Sequence, residues 1–176
     1  MLILVTGGSG SGKSAFAEDR VLSLGEAKRI YIATMHPFDQ ESFKRIERHR
    51  KMRAGKGFDT IECYTGLKDV QISGDSVVLL ECMSNLTANE MFEPEGAGDN
   101  TVEEVQAGVD ALRERCAHLV IVTNDIFSDG ITYDEVTALY QERLGEINRR
   151  IAAEADQAAE VICGIPLQLK NKGQSL

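Results

Sequence analysis

No run of apolar residues in this sequence approaches the roughly 18 that a membrane-spanning helix needs. The apolar stretch at the start, residues 2–5, has no basic leader and runs straight into a glycine-rich segment, so it is not expected to be a signal peptide. Cysteine is sparse: Cys63, Cys82, Cys116 and Cys163 lie far apart with no C-x-x-C pair, which indicates neither a zinc site nor a disulfide framework. Three of the four follow or sit in strand-like apolar runs, which reads as buried free thiols in a reducing cytoplasm. Positive charge is also short, with 19 Lys and Arg against 28 Asp and Glu and a formal net charge of −9. That balance argues against a general nucleic-acid binder and makes any local basic cluster informative. Internal repeats and low-complexity tracts are absent. Residues 1–176 are read as one soluble domain, long enough to bury most of its apolar surface in a single core.

Glycine, by contrast, is concentrated where it matters. After the apolar run comes Thr6-Gly7-Gly8-Ser9-Gly10-Ser11-Gly12-Lys13-Ser14, which contains the phosphate-loop pattern G-x-x-x-x-G-K-S. A helix-compatible segment follows, so strand, loop and helix come in the order the motif requires. Gly7, Gly8, Gly10 and Gly12 let successive backbone N–H groups curl around nucleotide phosphates, and the helix start adds its dipole. Lys13 is placed to reach the β- and γ-phosphates, and the Ser14 hydroxyl to ligate Mg²⁺.

Further along, residues 29–34 read as a second buried strand whose tip, Thr34-Met35-His36-Pro37, should face the same cleft. Residues 39–53 read as a helix with Asp39 as N-cap and Phe43 and Ile46 on an apolar face. Lys44, Arg45, Arg48, Arg50, Lys51, Arg53 and Lys56 place seven of the nineteen basic residues in thirteen positions around His49, with Glu47 as the opposing charge. A basic run is usually a solvated helix face and a lone histidine usually structural, so composition does not by itself select His49. Residues 59–64 look like an edge strand. In Ser76-Val77-Val78-Leu79-Leu80-Glu81-Cys82 a buried strand leads to a carboxylate, the physical form of a Mg²⁺-side acid beside the loop hydroxyl, which makes Glu81 the metal-side candidate with Ser14. Thr101-x-x-Glu104 reads as a capping box ahead of an amphipathic helix, and residues 118–123 as another buried strand. A long helix over residues 133–156 is followed by two short strands, 160–165 and 166–170, with almost no loop, and by a frayed polar end at 171–176.

Taken together, these pieces resemble the bifunctional adenosylcobinamide kinase/adenosylcobinamide-phosphate guanylyltransferases of cobalamin biosynthesis. The likeness rests on Thr6-Gly7-Gly8 with Ser11-Gly12-Lys13-Ser14, Tyr31-Ile32-Ala33-Thr34, Arg45-Ile46-Glu47-Arg48-His49-Arg50 with Arg53, and Thr60-Ile61-Glu62-Cys63. It extends through Leu79-Leu80-Glu81-Cys82 with Asn89, Val122-Thr123-Asn124 and Asn148-x-x-Ile151-Ala152. One departure is Ser9-Gly10, where many members carry alanine and arginine.

The resemblance implies an α/β, P-loop NTPase-like and RecA-like fold: a mostly parallel sheet flanked by helices, with an antiparallel C-terminal edge. It implies phosphorylation of adenosylcobinamide with ATP or GTP, then transfer of GMP from GTP to adenosylcobinamide phosphate through a guanylylated histidine, giving adenosylcobinamide-GDP. His49 falls on that histidine. Ala33, Thr34, Met35, Arg50, Lys51, Met52, Arg53, Glu62 and Glu81 fall on the guanine-nucleotide site beside the loop, Gly7 to Ser14. A homotrimer follows from the same likeness; a cytoplasmic location with neither nucleic acid nor membrane as partner is what the cysteines, the charge and the lack of a long apolar run lead one to expect. Two other readings remain open on the residues alone: a P-loop kinase of another small hydroxyl metabolite, using Lys13, Ser14 and Glu81 without His49, and a regulatory protein that only senses nucleotide.

Overall fold

The computed structural model describes residues 1–127 and 130–173. The fraying expected over residues 171–176 is corrected at its start, because Asn171 pairs in register with Gln157 and the Lys172 N–H donates to the Asp156 carbonyl at 2.8 Å; residues 174–176 lie outside the described set.

β1 (Leu2–Thr6) is buried on both faces, as the continuous apolar run predicts. Leu2 and Leu4 enter one core, Ile3 and Val5 the other. It pairs in parallel with β5 (His118–Val122) on one side and β6 (Gln157–Ile162) on the other. β2 (Arg29–Ala33), β3 (Phe58–Glu62) and β4 (Val77–Glu81) extend the sheet, and β7 (Ile165–Asn171) returns antiparallel to β6. The strand order is β3-β2-β4-β5-β1-β6-β7, parallel throughout except for the last pair. This is the mostly parallel sheet with an antiparallel C-terminal edge that the sequence predicts.

Helices close both faces. α1 (Lys13–Ser23) covers one core with Ala17 and Val21. α3 (Met83–Phe92), α4 (Thr101–Arg115) and α5 (Glu135–Glu154) cover the other through Leu86, Val105, Val109, Leu112, Leu144, Ile147 and Ile151, stripes at spacings of three and four.

α2 (Gln40–Arg53) behaves differently. Asp39 caps it as predicted, its carboxylate accepting from the Ser42 N–H at 2.7 Å while the Asp39 N–H donates to the Ser42 hydroxyl. Its apolar face does not enter the core: Phe43 is exposed, Ile46 half-buried, and Arg53 is the one buried residue of the helix.

Three further expectations are corrected. Thr101 is not an N-cap, because the turn at 98–100 runs directly into α4 and gives Thr101 helical angles; its hydroxyl donates to the Gly98 carbonyl, and Glu104 pairs with Lys68. β6 begins at Gln157 rather than 160 because Asp156 and the following residues are drawn in beside β1: the Leu2 N–H donates to the Asp156 carboxylate, and Ile3 registers with Gln157. It ends earlier too, in a two-residue turn with Cys163 at φ 52° and Gly164 at φ 80°, the left-handed pair that a tight hairpin needs. Cys163 is consequently exposed, whereas Cys63 and Cys82 are buried free thiols.

Candidate active site

In-register pairing sets one row of residues across the sheet: Glu62, Ala33, Glu81, Val122, Val5 and Ala159. The row lies at the carboxyl ends of the parallel strands, where open α/β sheets bind ligands. Four segments named from sequence therefore meet at one edge: the glycine loop after β1, Ala33-Thr34-Met35 after β2, Glu62 on β3 and Glu81 on β4.

The loop turns into α1 through Gly12 at φ 94°. Lys13 is nearly buried and folds back so that its Nζ donates to the Gly8 carbonyl at 3.1 Å. Burial lowers its pKa, the nearby Arg48 adds to that, and Cys82 and Glu81 oppose it.

Glu81 is the hub. It accepts from the Ser14 hydroxyl on Oε1 and from the Tyr31 hydroxyl on Oε2 at 3.2 Å, and His49 Nδ1 stands 3.5 Å from Oε1. That imidazole nitrogen makes no formed hydrogen bond, so the contact is electrostatic. Burial pushes the Glu81 carboxyl up, but His49, Ser14 and Tyr31 outweigh it and hold the group below the ordinary carboxylate value. The Arg53 guanidinium lies 3.3 Å from the Tyr31 ring centroid, and the Phe58 ring meets Tyr31 edge-on.

Two depressions meet at His49. One is lined by residues 9–15 of the loop together with Lys44, Arg45, Arg48, Met52 and the β5 tip, Asn124 to Ile126. Its cations and N–H groups suit a polyphosphate. The other is bounded by Tyr31, Ala33, Phe43, Ile46, Thr60 and Tyr64, a mainly apolar slot that also carries Arg50, Arg53 and the Glu62 carboxylate, which suits a flat heterocycle bearing N–H donors. His49, Met35 and Glu81 line both.

Most of the residues named from sequence come together here, in differing ways. Thr34 faces inward: its hydroxyl donates to the Cys82 carbonyl at 2.9 Å and accepts from the Cys82 N–H at 2.8 Å, so it fixes the strand tips rather than lining a depression. Arg50 is exposed and lies 3.5 Å from Glu62 Oε1, and Tyr64 donates to Glu62 Oε2 at 3.0 Å. Lys51 pairs with Glu47 at 2.8 Å along the helix and lines neither depression. Sequence reasoning passed over Tyr31, Phe43 and Tyr64 as site residues. A tyrosine inside a strand-like run carries no polar signature, and the one available signal was its place two residues before the strand tip.

The comparisons with known proteins agree along almost the whole chain. The sequence profile described as CobU, cobinamide kinase / cobinamide phosphate guanyltransferase, matches residues 3–169. The bifunctional adenosylcobalamin biosynthesis protein CobU of Salmonella typhimurium is 31% identical over 185 residues, covering 97% of this chain and 100% of that one. Its Escherichia coli counterpart is 32% identical with the same coverage. Among solved structures, an ATPase from the type III secretion system of pathogenic bacteria superposes with a TM-score of 0.54 at 8% identity, covering 95% of this chain and 56% of that one. A protein from Pyrococcus horikoshii superposes with a TM-score of 0.50 at 10% identity, covering 97% and 86%. At such identities these two likenesses show the fold alone.

Proposed function

Because this chain belongs to the CobU family of cobinamide kinase / cobinamide phosphate guanyltransferases, we propose that His49 is its guanylyl carrier and that residues 7–14 hold the nucleotide for both reactions. The protein is an enzyme of cobalamin biosynthesis that phosphorylates cobinamide and guanylylates cobinamide phosphate. The observation that carries the residue assignment is the position of His49 at the junction of the basic loop depression and the apolar slot. A nucleotide whose base enters the slot and whose phosphates reach the loop has its α-phosphorus beside this imidazole.

In the kinase step the hydroxyl of the aminopropanol arm of adenosylcobinamide attacks the γ-phosphorus of ATP or GTP and gives up its proton to solvent, the bond to the β,γ-bridging oxygen breaks, and ADP or GDP leaves with its charge taken up by Lys13 and the loop N–H groups. In the second step the ring nitrogen of His49 remote from Glu81, Nε2, attacks the α-phosphorus of GTP and pyrophosphate leaves. The phosphoramidate formed is cationic at the imidazole, and Glu81, 3.5 Å from Nδ1, stabilises that charge. A phosphate oxygen of adenosylcobinamide phosphate then attacks the same phosphorus, the P–N bond breaks, and adenosylcobinamide-GDP leaves a neutral imidazole behind. Glu62, with Arg50 and Tyr64 around it, is suited to accept from the N–H edge of guanine.

Mg²⁺ fits the donor set. Among the described residues no cluster of three or more His, Cys, Asp or Glu would hold a metal by protein groups alone. The Ser14 hydroxyl and the Glu81 carboxylate do meet at one point beside the loop, and one or two protein oxygens completed by phosphate and water is the coordination Mg²⁺ prefers. When bound there, the ion would neutralise phosphate charge.

A single domain, a homotrimer and a cytoplasmic location belong to the same proposal. They are supported by the family likeness; separately, among the described residues no helix is long and apolar enough to cross a membrane. The test of His49 is incubation with α-labelled GTP and Mg²⁺. Wild-type protein should acquire an acid-labile label, and His49→Ala should acquire none while still moving γ-phosphate onto cobinamide. Label persisting in His49→Ala would overturn the assignment, and loss of both activities in a folded variant would deny the division of labour.

A further inference from the structure

The turn between β6 and β7 lies directly against the phosphate loop. The Gly164 N–H donates to the Ser11 carbonyl at 2.8 Å. A Cβ placed on Gly12 would stand 3.3 Å from Gly164 Cα, and one placed on Gly7 would stand 2.5 Å from the Val161 carbonyl oxygen. Loop and hairpin therefore meet backbone to backbone at two points, neither of which admits a side chain without displacement. Those two glycines are thus required by the C-terminal hairpin as well as by a nucleotide.

We infer that Gly164 is a positioning residue for nucleotide binding: its N–H holds the Ser11–Gly12 peptide plane so that the Gly12 N–H faces the phosphates. In a planar trans peptide the C=O and N–H point in opposite directions. Tying the Ser11 carbonyl outward to the hairpin turns the Gly12 N–H inward, into the concave side of the loop. Without that tie, a peptide joined to glycine rotates at little cost, and a carbonyl turned inward would repel phosphate where an N–H attracts it. The turn is built to hold its donor still, since Cys163 and Gly164 both lie in the left-handed region and β6 is fixed to β1 by the register Thr6↔Glu160. Gly164 acts on the nucleotide through Ser11 and Gly12. The inference rests on residues 7–14 being the phosphate loop.

Two variants of the full chain separate the donor from the turn. Gly164→Pro lacks the N–H, whereas Gly164→Ala keeps it: its Cβ meets no heavy atom within 4 Å, and the strain of a side chain at φ 80° falls on the stability of the turn without removing the donor. Equilibrium titration with GTP should show about fivefold to tenfold weaker binding for the proline variant, the effect of one lost hydrogen bond, and a change of no more than about twofold for the alanine variant. Guanosine, which lacks phosphates, should bind all three proteins alike, and KM for GTP should rise in both reactions with kcat held. Undiminished GTP affinity in Gly164→Pro, or an equal loss in Gly164→Ala, overturns the inference. Proline holds φ near about −65°, so that variant is at risk of misfolding. A measurement on the wild type stands beside it: saturating GTP should slow exchange of the Gly164 amide proton by about fivefold or more, since coupling between two equilibria is reciprocal. Unchanged exchange at that amide in GTP-saturated protein counts against the inference. Wild-type protein that binds no nucleoside triphosphate would instead overturn the reading of residues 7–14 on which it rests.

Discussion

At the residue scale, the site depends on how many neighbours one carboxylate serves. Glu81 faces Ser14, Tyr31 and His49 at once, and Tyr31 in turn carries the Arg53 guanidinium on its ring. Tyr31→Phe removes the hydroxyl and keeps the ring. Stability to urea should fall by about 1 kcal/mol, the ordinary cost of one buried hydrogen bond, and guanylylation should slow because Glu81 is less firmly held beside His49. The cysteines give a second residue-level expectation. Burial pushes the Cys63 and Cys116 thiols up to about 11, and raises buried Cys82 as well, while Cys163 is exposed at the hairpin turn. A thiol reagent at neutral pH should therefore modify Cys163 rapidly, half-buried Cys116 slowly, and Cys63 and Cys82 only on unfolding, as peptide mapping would show. Lys13, Ser14 and Glu81 were legible in the sequence because each sits at a fixed offset from an apolar run. His49 was legible through family likeness alone, since a histidine among arginines has no unique physical reading. The role of Tyr31 was illegible because it depends on register with Glu81 on another strand, set by the pairing Tyr31↔Leu79.

At the scale of elements, α2 and α5 show how similar patterns acquire different meanings. The apolar stripe of α5, Val136, Leu139, Tyr140, Leu144, Ile147 and Ile151, reads from sequence as packed throughout; Leu144, Ile147 and Ile151 are fully buried, but Val136 and Leu139 near the helix start are exposed. Leu144→Ala should cost about 2–5 kcal/mol in equilibrium unfolding, as a cavity in a packed core does. Phe43 and Ile46 on α2 have the same spacing as two members of such a stripe, yet they border the apolar slot rather than fill the core. Nothing in the segment itself distinguishes the two cases, because what lies opposite the helix is decided by strands far away in sequence. Deprived of core packing, α2 leans on its cap. Asp39→Ala should destabilise the start of the helix by about 1 kcal/mol, seen as faster amide exchange around residues 42–46, while the global unfolding midpoint stays nearly unchanged.

For the molecule as a whole, the strand order decides what supports what. Asp156 ties the chain leaving α5 to the first strand by accepting from the Leu2 N–H at 2.8 Å, with Lys172 at 3.7 Å. The Leu2 hydrogen bond foremost, with Lys172 and the N-terminal ammonium assisting against some burial, lowers the Asp156 pKa below the ordinary aspartate value of 3.8. Its contribution to stability is therefore fully present above that value and is lost as pH falls through the lower folded one. Asp156→Asn should flatten the acid limb of the stability curve, measured by urea unfolding across that range, and leave the neutral region parallel to wild type. The parallel sheet and its antiparallel edge were readable from buried runs separated by helical patterns. The order of the strands was not, because the inner strands β1, β4 and β5 are apolar on both faces and pairing partners leave no mark on such a run.

That order has a consequence for synthesis on the ribosome. β1 is made first but lies between β5 and β6, so the strand that bears the glycine loop has no neighbour on either side until residues 118–122 and then 157–162 have been added. The hairpin turn that grips Ser11 arrives later still, at residues 163–164. The nascent chain thus carries its nucleotide signature through the synthesis of β2 to β5 without the flanking strands that hold it, and competence to bind should appear abruptly, with the emergence of the hairpin of β6 and β7.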